Sequence, residues 1–204
     1  MSWYFSKGAS APAYDLFEER CEGTGTPASW TDTGSPNWDN ASSPIAGAQS
    51  LTLGSASDTV EYSVGTRSEI WVHFAATWSA IPTAHTAIIS LRESGVTRAY
   101  FSLRTTTGAI RVYNTASTND SLSFTPTAGT TYYFWWRYKT GSGADGISQL
   151  YVSTDPTARG ALNINNTTTP ATASIDSVLF SGGPTMTLKL DNLIASTTEI
   201  LASP

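Results

Sequence analysis

The sequence predicts an all-β fold, a two-sheet antiparallel sandwich with an extended N-terminal arm. Three observations carry this. Short runs alternate apolar and polar residues, the period of a half-buried strand. Turn chemistry (GTGTP, TGSP, SSP, GSGADG) separates the runs. No helix-period segment of useful length and no long-period repeat interrupts them. Many short strands at this spacing indicate a sandwich rather than an open sheet.

Composition agrees. The chain has 204 residues, 40% of them hydrophobic and 11% aromatic, so it has the material for a core and is not globally disordered. Charged residues are only 13%, where about 25% is usual. Thr, Ser, Ala and Gly fill the gap, and they suit strands and turns better than helices. The net charge of -5 argues against a nucleic-acid surface. Cys21 is the sole cysteine, which excludes an internal disulfide and a cysteine-based zinc site and reads as a small buried hydrophobe. The opening MSWYFSKGASAPAYD lacks the apolar stretch of a signal peptide, and no run approaches the about 20 apolar residues of a membrane helix. The expectation is a chain kept in the cytosol where it is made, or exported by another route, with no membrane partner.

In chain order, residues 1–14 read as the arm, with Trp3, Tyr4 and Phe5 ahead of the small-residue spacer GASAPA. Three adjacent aromatics are expected to dock on this domain or on a neighbouring copy. Residues 15–204 read as one sandwich domain. Its first part, 15–45, holds Trp30 and Trp38 among polar residues and reads as a strand with long connections. SLTLG and TVEYSV are strands. In EIWVHFAATW, Ile70, Val72, Phe74 and Ala76 share one face, while Trp71, His73, Ala75 and Thr77 share the other. AIISLRE, AYFSLRT and AIRVYNT follow. In TYYFWWRYK, Phe134, Trp136 and Tyr138 oppose Tyr133, Trp135 and Arg137. SQLYVST, SIDSVLFSG and TMTLKLDNLIAS close the domain.

Several of these segments resemble one family. SLTLGSASDTVEY resembles the opening strands of LamG-like, concanavalin A-like jelly rolls. TYYFWWRYKTGSGADGISQLYVST is similar to the family's paired strands across a Gly/Asp turn, and LKLDNLIAS to its closing strand. The upstream CEGTGTPASWTDTGSPNWDNASSPIAGAQSL resembles the lead-in of sandwiches in bacteriophage structural proteins and environmental bacterial proteins. The resemblance spans about residues 15–200 and implies a jelly-roll sandwich. Its motifs are strand patterns, so it carries fold more than function.

Chemistry is sparse. Glycoside hydrolysis needs two carboxylates flanking the scissile bond, and the E-x-D-x-x-E or E-x-D-x-E run of laminarinase-type members is missing. Glu18 and Glu19 are adjacent and point to opposite faces of a strand; Glu61, Glu69 and Glu93 are isolated. The two histidines, His73 and His85, have no G-x-S-x-G elbow to serve, and no phosphate loop is present. The reading is that the chain is not an enzyme and needs no cofactor. Asp145, Asp155 and the Asp191–Asn192 pair are the oxygen donors a calcium ion would use, but turn formation explains them as well and no metal is assigned. Sequons at Asn40, Asn119, Asn165 and Asn166 are chance products of a Ser/Thr-rich chain.

One face invites a ligand. Tyr133, Trp135 and Arg137 combine flat rings with a polar group, and Trp71, His73, Arg111 and Tyr113 are expected to join them across the sheet as a glycan or partner surface. The competing reading makes one face core and has the other buried by a partner or by the long 20–45 connection. The functional expectation is a non-enzymatic bacteriophage virion structural protein (a capsid decoration, fibre or tail-associated sandwich) docking to other virion proteins and to copies of itself. The alternative is a carbohydrate-binding module or lectin-like adhesion domain on a cell-surface glycan.

Overall fold

The computed structural model describes residues 14–23, 25–82, 85–103, 109–114, 118–120, 124–142, 145–166 and 173–201. The arm residues Trp3, Tyr4 and Phe5 lie outside them. In chain order the strands are β1 (Phe17–Glu19), β2 (Trp30–Thr33), β3 (Asn37–Asn40), β4 (Ser50–Leu53) and β5 (Thr59–Arg67). Then come β6 (Glu69–Trp78), β7 (Thr86–Glu93), β8 (Val96–Leu103), β9 (Ile110–Asn114) and β10 (Thr118–Asp120). The last five are β11 (Tyr132–Lys139), β12 (Ile147–Ser153), β13 (Leu162–Asn166), β14 (Ile175–Ser181) and β15 (Leu188–Ser196).

They form two sheets with every pairing antiparallel. The larger sheet has eight strands in the order β13-β12-β11-β6-β15-β4-β3, with β1 also on β15. The smaller has seven, in the order β10-β9-β8-β7-β14-β5-β2. The 15–45 region, expected to give one strand, gives three. They are short and polar, and each of the three turns one large aromatic inward: Phe17, Trp30 and Trp38. Those rings pack edge to face at 5.2 Å (Phe17–Trp30) and 5.4 Å (Trp30–Trp38), closing one side of the sandwich.

The core lies between the sheets and follows the strand period. Ile70, Val72, Phe74, Ala76 and Trp78 of β6 and Tyr132, Phe134, Trp136 and Tyr138 of β11 point into it from the larger sheet. Phe101 and Phe180 meet them from the smaller one, with Phe101 at 4.9 Å from Phe134 and Phe180 at 5.8 Å from Phe74. Each fully buried side chain of this kind stabilises the fold by about 1.5–3 kcal/mol. Cys21 is buried, and burial pushes its thiol far above the ordinary range.

Two local features shape the connections and the register of the larger sheet. The buried Asp58 carboxylate accepts backbone N–H groups from Ser35, Gly54 and Ser55, and these bonds hold its pKa below the usual carboxylate value. Gly34 makes that possible: it sits at φ +80°, and a Cβ there would meet the Asp58 Oδ1 at 2.5 Å. In β15 a register shift falls between Asp191 and Ile194, with Asn192 at φ 50°. Before the bulge Leu188 and Leu190 face the core. After it Leu193 and Ala195 do, which turns Ile194 to the outer side.

Candidate functional site

Alternation leaves each sheet an outer face. On the larger sheet β6 presents Trp71, His73 and Ala75, and β11 presents Tyr133, Trp135 and Arg137. Cross-strand register sets Trp135 beside His73, Arg137 beside Trp71 and Tyr133 beside Ala75. The structure therefore brings five of the expected residues together, with the His73 ring 4.6 Å from that of Trp135.

It also covers them. His73 and Trp135 are 0% exposed, Trp71 4% and Tyr133 8%. Ile194, Ile200, Tyr14, Ile45 and Tyr151 pack over them as a second, smaller core. The C-terminal segment is tied down by polar contacts. Asp15 accepts hydrogen bonds from the Ser196 and Thr197 hydroxyls and from the Thr197 backbone N–H. The Arg159 N–H donates to the Leu201 carbonyl, and its guanidinium pairs with Glu199. The same guanidinium lies 4.0 Å from the Tyr151 ring centroid and 5.4 Å from that of Trp71. Gly160 lets the connection that carries Arg159 press against β12, since a Cβ there would sit 1.8 Å from the Val152 carbonyl oxygen. The expected open stacking platform is thus corrected: a sugar ring has no path to Trp135. The cover is mostly the two ends of the described chain, with Ile45 contributed by the long connection.

Burial sets the chemistry of this face. It drives the His73 pKa down to about 3, so the imidazole is neutral, and its Nδ1 lies 2.9 Å from the Phe134 carbonyl oxygen. Arg137, at the rim, pairs with Glu69 at 2.7 Å. Asp191 is buried, and desolvation pushes its carboxyl up to about 6. Its oxygens accept N–H groups of Ala46 and Asn192 and the Ser50 hydroxyl. Asp155 accepts from the Thr157 N–H and hydroxyl in a turn, which lowers its pKa. Among the described residues no three His, Cys, Asp or Glu side chains gather as a metal site.

Arg111 and Tyr113 are elsewhere. In β9, Ile110 and Val112 point into the inter-sheet core, so Arg111 and Tyr113 stand on the outer face of the smaller sheet. Facing the opposite way, they cannot join Trp135. Tyr113 instead pairs across the strands with Tyr100, a residue that sequence reasoning missed. Their rings stack at 4.8 Å with 13° between planes, and both are half-buried. The row continues from Tyr100 to Ser90, Leu179 and Glu61. Five strands at the usual spacing make it about 19 Å long. At its far end Arg92 Nη1 donates to both Glu61 carboxylate oxygens, at 3.0 and 2.9 Å, and the Ser177 hydroxyl adds a bond at 2.6 Å. Alternation in AYFSLRT marks Tyr100 as outward, but only the β8–β9 register shows that it meets Tyr113.

No family model matches this sequence, and no curated protein matches it. Solved structures do. The cellulose induced protein Cip1 superposes with a TM-score of 0.69 at 13% identity, over 90% of this chain and 98% of that one. The endo-beta-1,4-glucuronan lyase of the fungus Trichoderma reesei gives 0.62 at 14% identity, over 89% and 95%. The fold is the concanavalin A-like jelly roll. A third jelly-roll match is to botulinum neurotoxin type C, whose passage into cells depends on interaction with two ganglioside molecules. It gives a TM-score of 0.63 at 10% identity over 92% of this chain, which spans 48% of that one.

Proposed function

We propose that this jelly roll binds polysaccharide along the outer face of its smaller sheet and does not turn it over. The observation that carries the proposal is the single row holding the stacked Tyr100–Tyr113 pair at one end and the Glu61–Arg92–Ser177 network at the other. Sugar recognition needs flat aromatic surface for the C–H faces of the ring and fixed polar groups for its hydroxyls. The tyrosines supply the first. Glu61, held rigid by Arg92 and Ser177, supplies a preorganised acceptor for the second. Among the described residues no second hydrophobic cluster seals this face, whereas one does seal the face opposite. The fold is shared with a glucuronan lyase and a ganglioside-dependent toxin, which favours a carbohydrate ligand.

Binding without turnover is argued from the composition of the row. Glycoside cleavage by paired carboxylates needs a partner for Glu61 across the bond, and Leu179, Ser90, Tyr100 and Tyr113 are not acids. The His73 imidazole, a natural proton carrier, is sealed on the opposite face.

The virion reading drew on the lack of a signal-peptide stretch, the single cysteine and the polar Thr/Ser composition, and above all on the arm and the lead-in segment. The arm lies outside the described residues, and the lead-in is used by the sandwich itself as β2, β3 and the start of β4. None of the three matched structures is described as a virion component. Carbohydrate binding is therefore the reading put to test.

Calorimetric titration with neutral and uronic polysaccharides should find at least one ligand. Tyr100→Ala and Tyr113→Ala should each weaken it about tenfold, the equivalent of about 1.4 kcal/mol, with no new reducing ends and no unsaturated product absorbing in the ultraviolet. A chain that binds no member of the panel, or tyrosine variants that bind like the parent, would sink the proposal.

A further inference from the structure

A second recess lies on the other side of the molecule, where the outer face of the larger sheet ends. It is a cavity of about 320 Å³ between the 43–45 loop, the end of β6, the turn before β11 and the start of β15. That is the small end of the range of about 300–1,000 Å³ typical of ligand pockets, room for one sugar residue. Its walls are of two kinds. Pro44 and Ile45 give an apolar side, and Thr77, Ser79, Thr131 and Lys189 give a polar one.

The polar side has donors left over. Thr77 and Thr131 share one hydrogen bond at 2.7 Å, so one of their two hydroxyl protons is unspent. The Ser79 hydroxyl accepts the Thr187 N–H at 2.8 Å, which leaves its own proton unspent. Lys189 donates to the Ser42 and Ser43 carbonyl oxygens, and its ammonium keeps a third N–H. Among the described residues no acid lines the cavity to absorb them. Asp191, two residues along β15, has its oxygens engaged by Ala46, Ser50 and Asn192. A small cavity with three unspent donors, one of them a cation, and an apolar wall matches a ligand that is anionic, rich in acceptors and carries C–H surface.

We propose that this cavity binds a uronate residue, with the sugar carboxylate at Lys189, ring hydroxyls at Thr77, Thr131 and Ser79, and the ring face against Pro44 and Ile45. The site is separate from the tyrosine row and stands or falls without it. With both sites occupied, one domain would hold polysaccharide on one face and a uronate on the other.

The test uses the full chain and nuclear magnetic resonance titrations with D-glucuronate, D-glucose, acetate and a tetraglucuronide. Glucuronate should shift resonances of residues 43–45, 77–79 and 187–189, and bind about tenfold more tightly than glucose or acetate. Lys189→Met should weaken glucuronate about tenfold. That variant also releases the 42–43 carbonyls, so Thr131→Val provides a second probe that leaves Lys189 in place; it should weaken binding about threefold with an unchanged melting temperature. Tyr113→Ala should leave this site as it is, which separates its failure from failure of the other face. Read at the 77–79 and 187–189 resonances in Tyr113→Ala, tetraglucuronide binding more tightly than glucuronate would assign the site to a chain end, and equal binding to the free sugar acid; either supports a uronate site. Acetate equal to glucuronate, glucose equal to glucuronate, or both cavity variants binding like the parent would overturn it.

Discussion

The two sheets each turn a row of aromatic side chains away from the shared core, and the two rows end in different environments. On the larger sheet Trp71, His73, Tyr133 and Trp135 are sealed by Ile194, Ile200, Ile45 and Tyr14. On the smaller sheet Tyr100 and Tyr113 stack half-buried, in line with a hydrogen-bonded carboxylate, and among the described residues no hydrophobic cluster caps them. What separates them is the traffic of chain over the surface. Both ends of the described chain and the 42–48 loop converge on the larger sheet, and polar clamps hold them there: Asp15 on residues 196–197, Arg159 on 199–201, Lys189 and Asp191 on 42–46. An aromatic strand face can therefore serve as core as readily as surface, depending on where the rest of the chain runs.

The comparison predicts a graded series of effects. Trp135→Ala, on the sealed face, should cost about 3–5 kcal/mol of unfolding free energy in urea; a loss under about 0.5 kcal/mol would mean that the seal is not present in solution. Ile200→Ala removes the cap and should cost about 2–4 kcal/mol, with Trp71 and Trp135 fluorescence becoming more open to acrylamide quenching. If quenching is unchanged, the cap lies elsewhere.

Acid probes the sealed face one pH unit at a time. The His73 pKa is lowered by burial to about 3, against about 6.5 unfolded. The unfolded chain thus binds the extra proton first, and stability must fall as pH drops from about 6.5 towards 3, by up to about 1.4 kcal/mol per unit. Asp191 opposes this. Its raised pKa, about 6, means that the folded chain takes up a proton first, so stability rises as pH falls from about 6 to 4. Measuring the parent against His73→Gln isolates the first contribution, and the parent should lose stability more steeply on acidification. Identical slopes would contradict a neutral buried His73.

The smallest expected change in stability is on the open face. Tyr113→Ala should cost under about 1 kcal/mol, the value of an exposed cross-strand pair, while weakening polysaccharide binding about tenfold.

Much of this was legible in the sequence. Alternation in EIWVHFAATW and TYYFWWRYK assigns Ile70, Val72, Phe74, Phe134, Trp136 and Tyr138 to one face and Trp71, His73, Tyr133 and Trp135 to the other, and the structure keeps those groupings. A further sign was present: β11 is aromatic on both faces, the mark of a strand buried on both sides. Of what covers the second face only the 20–45 connection, through Ile45, was legible; Ile200 and Tyr14 were not, because they reach it from more than 50 positions away in the chain. The placement of Arg111 and Tyr113 failed for a related reason. Strand parity says which residues share a side but not which sheet a strand enters. β1, β2, β3, β10 and β13 are three to five residues long and mostly polar, too short to show a period. The bulge that turns Ile194 outward depends on Asn192 adopting a positive φ, which alternation alone does not reveal.

The central claim is that ligand binds the open face and not the sealed one. Amide chemical-shift mapping of the full chain during titration with an oligomer of the best polysaccharide tests it most directly. The account predicts the largest shifts at Ser90, Tyr100, Arg111 to Tyr113 and Ser177 to Leu179, all on the smaller sheet, with residues 71–75 and 133–137 unmoved. Shifts concentrated on 71–75, 133–137 and the C-terminal segment around Ile200 would contradict it, and would mean that the cap opens to admit the sugar.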